Sequence, residues 1–97
     1  MIEVRHLRSL AAIADARRIG AAAERVHLTQ SALSHQVRAL ETHYGVRLFE
    51  RTREGMRMTQ AGERLLRLAR EVLASIGEAE REIVRLKDDA RGQLRIA

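Results

Sequence analysis

The sequence predicts a mainly α protein ending in one long helix, and three observations carry that reading. No proline occurs among the 97 residues, so nothing in the chain forces a helix to break. Leu65, Ala69, Val72, Ile76, Ala79, Ile83, Leu86 and Ala90 step alternately by four and three, and all are apolar. A period of about 3.5 residues sustained over that length marks a coiled-coil seam rather than a helix lying on an ordinary core. Finally, the run from His27 to Glu41 divides about a helical axis into two faces of different chemistry.

Taken in order, the first helix is expected from about Glu3 to Ala16, with Leu7, Leu10, Ala11 and Ala14 turned inward. A shorter helix follows around Gly20 to Val26, where the small Ala21, Ala22 and Ala23 allow close approach of a neighbour. His27-Leu28-Thr29 has the length of the turn in a helix-turn-helix, and Thr29 is a good N-cap for the next helix. Within that helix Leu33, Val37, Leu40 and Tyr44 form a continuous apolar stripe, and Gly45 fits a left-handed stop. Gln30, Ser31, Ser34, His35 and Arg38 lie on the other side at spacings of three and four. Each of them donates or accepts hydrogen bonds, and none is an acid. A face that only met water would more often carry Glu and Lys. This composition is that of a helix that packs on one side and reads base edges in a DNA major groove on the other.

From Leu48 to Thr59 the pattern changes. Met56 and Met58 share one face, Arg57 takes the other, and Gly55 can adopt the positive φ of a tight hairpin. A small β-hairpin bearing Arg51, Arg53 and Arg57 is predicted, a wing docked by a buried Phe49. Thr59 then caps the long helix, expected to run to about Asp89 with Leu66 and Leu73 beside the seam. A lone helix with this much apolar surface would be a poor monomer, so a homodimer through Leu65, Ala69, Val72, Ile76, Ala79, Ile83 and Leu86 is predicted. After Arg91-Gly92, the alternation in Gln93-Leu94-Arg95-Ile96-Ala97 reads as a beginning strand. The expected organisation is a winged helix-turn-helix over 1–58, a linker and dimerisation helix over 59–91, and the start of a further domain in 92–97.

The net charge of +5 is unevenly placed. Residues 1–58 hold ten arginines against six acids, while 59–97 hold eight basic residues against seven acids. Attraction for a polyanion therefore sits in the first segment, where Arg51 and Arg53 are the expected groove or phosphate contacts of the wing. The absence of cysteine removes disulfides, thiolate chemistry and cysteine zinc sites together. His35 and His43 stand eight apart, too far to share a metal as two histidines one turn apart do, and no metal site is expected. No apolar run approaches membrane-spanning length and the start lacks the apolar core of a signal peptide, so a cytoplasmic protein without membrane contact is expected. No nucleophile–base pair, glycine-rich phosphate loop or paired-carboxylate motif stands out, which argues against an enzyme. The alternative to a sequence-specific DNA reader is a non-enzymatic winged-helix module that binds protein.

Ala22-Ala23, Thr29-Gln30-Ser31-Ala32-Leu33-Ser34, Leu40-Glu41, Gly45-Val46-Arg47-Leu48-Phe49-Glu50-Arg51 and Thr59-Gln60-Ala61-Gly62-Glu63 stand in one recognisable order and spacing. The whole chain resembles the N-terminal DNA-binding region and linker helix of LysR-type transcriptional regulators of bacteria. That resemblance implies a winged helix-turn-helix, dimers through antiparallel linker helices, frequent tetramers, and interrupted, roughly palindromic operators in double-stranded DNA. It also implies a ligand-sensing domain after the linker, with no cofactor in this chain. Met1-Ile2-Glu3-Val4-Arg5-His6-Leu7 and the run from Thr29 to Gln36 look closest to the branch regulating methionine biosynthesis. The coeffector of that branch is homocysteine, whose site would lie beyond residue 97. Carried over by position, the recognition-helix contacts fall on Gln30, Ser31, Ser34, His35 and Arg38, and the wing contacts on Arg51 and Arg53. There are departures. Many members have proline where Ser31 stands and arginine where His35 stands, so base preference is not expected to transfer. Arg18 occupies a place where the family often has a capping serine, and the second helix is expected to fray.

Overall fold

The computed structural model describes residues 1–96, with side chains as far as Arg91. Its elements are α1 (Val4–Ala16), α2 (Ile19–Arg25), α3 (Gln30–Tyr44), β1 (Phe49–Thr52), β2 (Gly55–Met58) and α4 (Gln60–Ile96). A mainly helical chain with one antiparallel hairpin and a long last helix is the fold that the sequence predicted. Helix ends follow local chemistry. The Thr29 hydroxyl accepts the Ala32 N–H at 3.0 Å and opens α3, and Gly45 closes it in the left-handed region at φ 70°. Thr59 does two things at once: its oxygen accepts the Gly62 N–H at 3.1 Å, and its hydroxyl donates to the Arg47 carbonyl at 2.6 Å. One side chain thus starts α4 and ties it to the loop before the wing.

Two helix ends have no glycine where one would be easiest. Arg17, at φ 61°, closes α1 by donating its N–H to the Ile13 carbonyl at 2.8 Å. After α2, His27 sits at φ 58°. The N–H groups of His27 and Leu28 reach the Glu24 and Ala23 carbonyls at 3.3 and 2.9 Å, the paired bonds of a Schellman cap. Arg18 is the N-cap of α2 and makes no capping bond with its side chain.

At the start of α1, the Glu3 N–H donates to Nδ1 of His6 at 3.0 Å, a role that only an unprotonated Nδ1 can fill. Burial, the largest cause, lowers the His6 pKa, and Arg5 and the chain terminus add to it against the opposing pull of Glu3. Because the folded ring takes up a proton less readily than the unfolded one, its contribution is complete above about pH 6.5. It is lost as pH falls through the lowered folded value. Stability should therefore decline on acidification below about pH 6.5 more steeply in the parent than in His6→Gln. Urea unfolding across that range measures it, and equal pH dependence in both proteins would refute the role.

The core gathers Leu10, Ala12, Ile13, Ala22, Ala23, Leu33, Val37, Leu40, Leu48 and Phe49 beneath the three short helices and the hairpin. Phe49 is buried, as expected. The inner face of α1 is wider than its apolar spacing implied: Ser9, Ala12 and Ile13 are buried with Leu7 and Leu10, while Ala11 and Ala14 are only half-buried. The cause is that α2 and α4 both pack on α1. Tyr44 departs from the stripe, 39% exposed, because the chain turns away at Gly45 and leaves its ring edge-on to His43.

In the hairpin Phe49 pairs with Met58 and Thr52 with Gly55, which has φ 119°. Met56 donates its N–H to the Arg17 carbonyl at 2.7 Å, so the second wing strand is bolted to the end of α1. The 37 residues of α4 give the molecule its 62 Å long dimension. Its first turns lie on α1, where Leu65 joins the core, Ala69 is fully buried, and Arg70 pairs with Asp15 at 3.5 Å. This corrects part of the expected seam. Ala69 faces its own domain and is closed to a second chain, whereas Ile83 and Leu86 are 63% and 60% exposed. The strand expected from Gln93 is also corrected: α4 runs on through Ile96, its helical register outlasting a five-residue alternation, and Ala97 lies outside the described residues.

Candidate nucleic-acid interface

The polar face of α3 is raised to the surface because the opposite face is held down. Leu33, Val37 and Leu40 are buried, and α2 packs across the helix through Ala22 and Ala23. Gln30, Ser31, His35 and Arg38 are consequently exposed, and Ser34 is half-buried. Gln30 and Ser31 stand in the first turn, where backbone N–H groups lack helical acceptors and no acidic residue competes for them.

Three concavities divide the predicted residues. Ser34 and Arg38 face Arg51 across a crevice between α3 and the wing, whose base is Val37 and Phe49. Gln30, Arg51 and Arg53 rim an adjoining open groove that also touches the start of α2. His35 looks the other way, into a depression beside α1 shared with His6 and His43. Ser31 rims none of the three. The sequence-predicted set is therefore one surface with two flanks, the wing belonging to the Gln30–Ser34–Arg38 side. Arg38, Arg51 and Arg53 form no ion pair among the described residues. Their charge is left for an outside anion.

Glu41 holds this arrangement together. Its carboxylate accepts the Leu48 N–H at 2.7 Å and the Phe49 N–H at 3.4 Å, and it meets the Arg47 guanidinium at 3.5 Å. The last turns of α3 are thereby tied to the first residues of the wing strand. Sequence reasoning named neither Glu41 nor Arg47 as a site residue. The available signal was an acid placed one turn after Val37 and directly beside Leu40, on the rim of an apolar stripe where a carboxylate needs a partner. Arg17 and Arg18 were missed as well, and they rim the same groove as Gln30, Arg51 and Arg53. Among the described residues no cluster of acids and histidines could hold a metal, and no helix is long and apolar enough to cross a membrane.

Comparison with known proteins places this geometry. The family described as "Bacterial regulatory helix-turn-helix protein, lysR family" matches residues 4–63. Over 96 residues the chain is 50% identical to the HTH-type transcriptional regulator MetR of Haemophilus influenzae, covering 99% of this chain and 31% of that protein. Over 79 residues it is 49% identical to MetR of Escherichia coli strain K12, covering 81% and 25% respectively. The chain thus spans less than a third of the length of these relatives. Among solved structures, the complex of the CbnR DNA-binding domain with DNA superposes with a TM-score of 0.71 at 38% identity, covering 81% of this chain and 91% of that one. The BenM DNA-binding domain bound to catB site 1 DNA gives a TM-score of 0.78 at 27% identity, covering 88% and 96%.

Proposed function

The chain belongs to the LysR family of bacterial helix-turn-helix regulators, and from that premise we propose that it is the DNA-reading part of a transcriptional regulator. The observation that carries this reading is the acid-free, largely exposed face Gln30–Ser31–Ser34–His35–Arg38, flanked by a wing whose arginines have no ion-pair partner among the described residues. Each protomer places α3 in a major groove, with its first turn toward the bases, while Arg51 and Arg53 follow the adjoining backbone or minor groove. Phosphate contacts supply most of the affinity and its salt dependence; Gln30, Ser34 and His35 supply much of the discrimination. The exposed stretch of α4 that carries Ile83 and Leu86 joins two protomers, so that one dimer samples both halves of a dyad.

In the whole protein this unit works in the cytoplasm, without catalysis, and answers to a small molecule bound outside the chain. The relatives named MetR favour control of methionine biosynthesis, and the molecule proposed is homocysteine, the coeffector that the resemblance to that branch implies. Selection of bound duplexes from a random-sequence pool at near-physiological salt tests the reading. Enrichment of an interrupted inverted repeat is the expected result. Salt-sensitive binding without enrichment would overturn sequence readout, and no binding would favour a protein-interaction module.

Gln30→Ala should relax preference at particular bases and cost about 1–3 kcal/mol on the selected site. Competition between that site and a scrambled duplex measures it. Equal weakening on both would show that Gln30 does not read bases.

A further inference from the structure

The groove between the start of α2 and the wing is lined on one side by Arg17 and Arg18 and on the other by Arg51 and Arg53. None of these four arginines has an ion-pair partner among the described residues. Between them lie Gly20 and Ala21, which put almost no side-chain bulk in the way of an approaching chain. At the end toward α3 stands Gln30, whose Oε1 lies 3.5 Å from where a side chain on Gly20 would begin. Four unneutralised guanidinium groups about one open groove repel one another, and a run of phosphates is the chemistry that relieves them.

The two walls are also held as one body. The Met56 N–H bonds the Arg17 carbonyl at 2.7 Å, and a Cβ on Gly55 would fall 2.5 Å from that same oxygen. The wing base therefore touches the α1–α2 junction backbone to backbone, leaving the groove width little freedom. The residue at the junction is itself informative. Arg17 adopts φ 61°, a conformation that glycine takes without cost, yet the chain carries a long cation there. Arg18, next to it, holds the N-cap of α2 without capping it. Two positions where local structure asks for Gly and Ser are occupied by arginine.

We propose that this groove clamps one strand of duplex DNA by its phosphates, with Arg17 and Arg18 opposing Arg51 and Arg53 beside the recognition helix. The clamp rests on the DNA-reading function above and extends it to two residues outside the recognition helix and the wing. It contributes affinity and register and carries no base preference, because guanidinium–phosphate contacts are blind to sequence.

The test is the double variant Arg17→Gly with Arg18→Ser, measured for binding to the selected duplex over a range of salt. Glycine suits the left-handed position and serine suits the N-cap, so thermal unfolding should be no earlier than in the parent. The slope of log affinity against log salt should fall by about 3.6 for the dimer, near 0.9 for each phosphate that the two protomers together no longer neutralise, with the selected sequence unchanged. A control variant, Arg81→Gln with Arg85→Gln, removes the same charge from exposed positions far along α4 and off the line of Ile76, Ile83 and Leu86, and should keep the parent slope. If the parent binds and the double variant keeps its slope, the clamp is wrong while the DNA-reading function stands. The clamp is equally wrong if the control loses as much slope, since bulk charge would then account for the effect. A parent that binds no duplex would remove the function and the clamp together.

Discussion

Replacing Gly62 with alanine should destabilise the protein by about 2–3 kcal/mol, although an alanine inside a helix ordinarily does the reverse. The reason lies across the helix surface. Gly62 is buried in the first turns of α4, and a Cβ built there would run into the backbone carbonyl of Leu48. That carbonyl cannot give way cheaply, because it accepts the Thr59 N–H at 3.0 Å and belongs to the segment held by Glu41. Backbone would have to move against backbone, and α4 would lift from the root of the wing. Gly77 provides the opposite case within the same helix. The nearest atom to a Cβ there is the flexible guanidinium end of Arg81 at 3.1 Å, which can swing aside. Gly77→Ala should stabilise by up to about 1 kcal/mol through helix propensity alone. Urea midpoints of the two variants, measured beside the parent, decide the matter. If Gly62→Ala were as stable as the parent, the close approach of α4 to the Leu48 carbonyl would be wrong.

Gly62 and the hairpin's Gly55 also show where a sequence is readable and where it is not. Gly55 was legible, since a hairpin between two short alternating runs needs a positive φ and only one residue there supplies it easily. Gly62 was not, because its requirement comes from a carbonyl fourteen positions earlier in the chain. α3 was almost wholly legible: a stripe, a cap and a stop are local signals, and they agree. Its one failure, Tyr44, arises where the helix ends and nothing beyond covers the ring. The same division runs through the candidate site. The polar face of α3 follows from periodicity, so its residues could be named in advance. Glu41 acts on amides seven and eight residues away, and Arg17 reaches the wing only because α1 ends in a left-handed turn that no glycine announces. Heptad spacing was informative about α4 but silent on ownership. Leu65 and Ala69 satisfy the pattern against their own α1, and only the later positions stand open.

Ile83→Asp should convert a dimer to monomers and reduce affinity for an inverted-repeat operator by about a hundredfold or more. Ile83 is 63% exposed in the single chain, with Val84 and Leu86 at 56% and 60%, an apolar surface that nothing among the described residues covers. Pairing two such helices would bury it, and a two-fold contact would bring in one new carboxylate from each chain. Neither carboxylate would have a partner, and burying an unpaired charge opposes assembly strongly. Ile76 lies on the same seam but is already half-buried, so a charge there would disturb the monomer as well. At Ile83 the two effects separate. Helix content and unfolding of the single chain should be preserved, because the side chain contributes little to the domain core. Light scattering reports the mass, and binding to an intact repeat against an isolated half-site reports the coupling. Half-site affinity should be unchanged, since the polar face of α3 and the wing lie at the other end of the molecule from Ile83. An unchanged mass would place the dimer contact elsewhere. A monomer that still bound the full repeat as tightly as the parent would show that the two readers never needed the helix to hold them at a fixed separation.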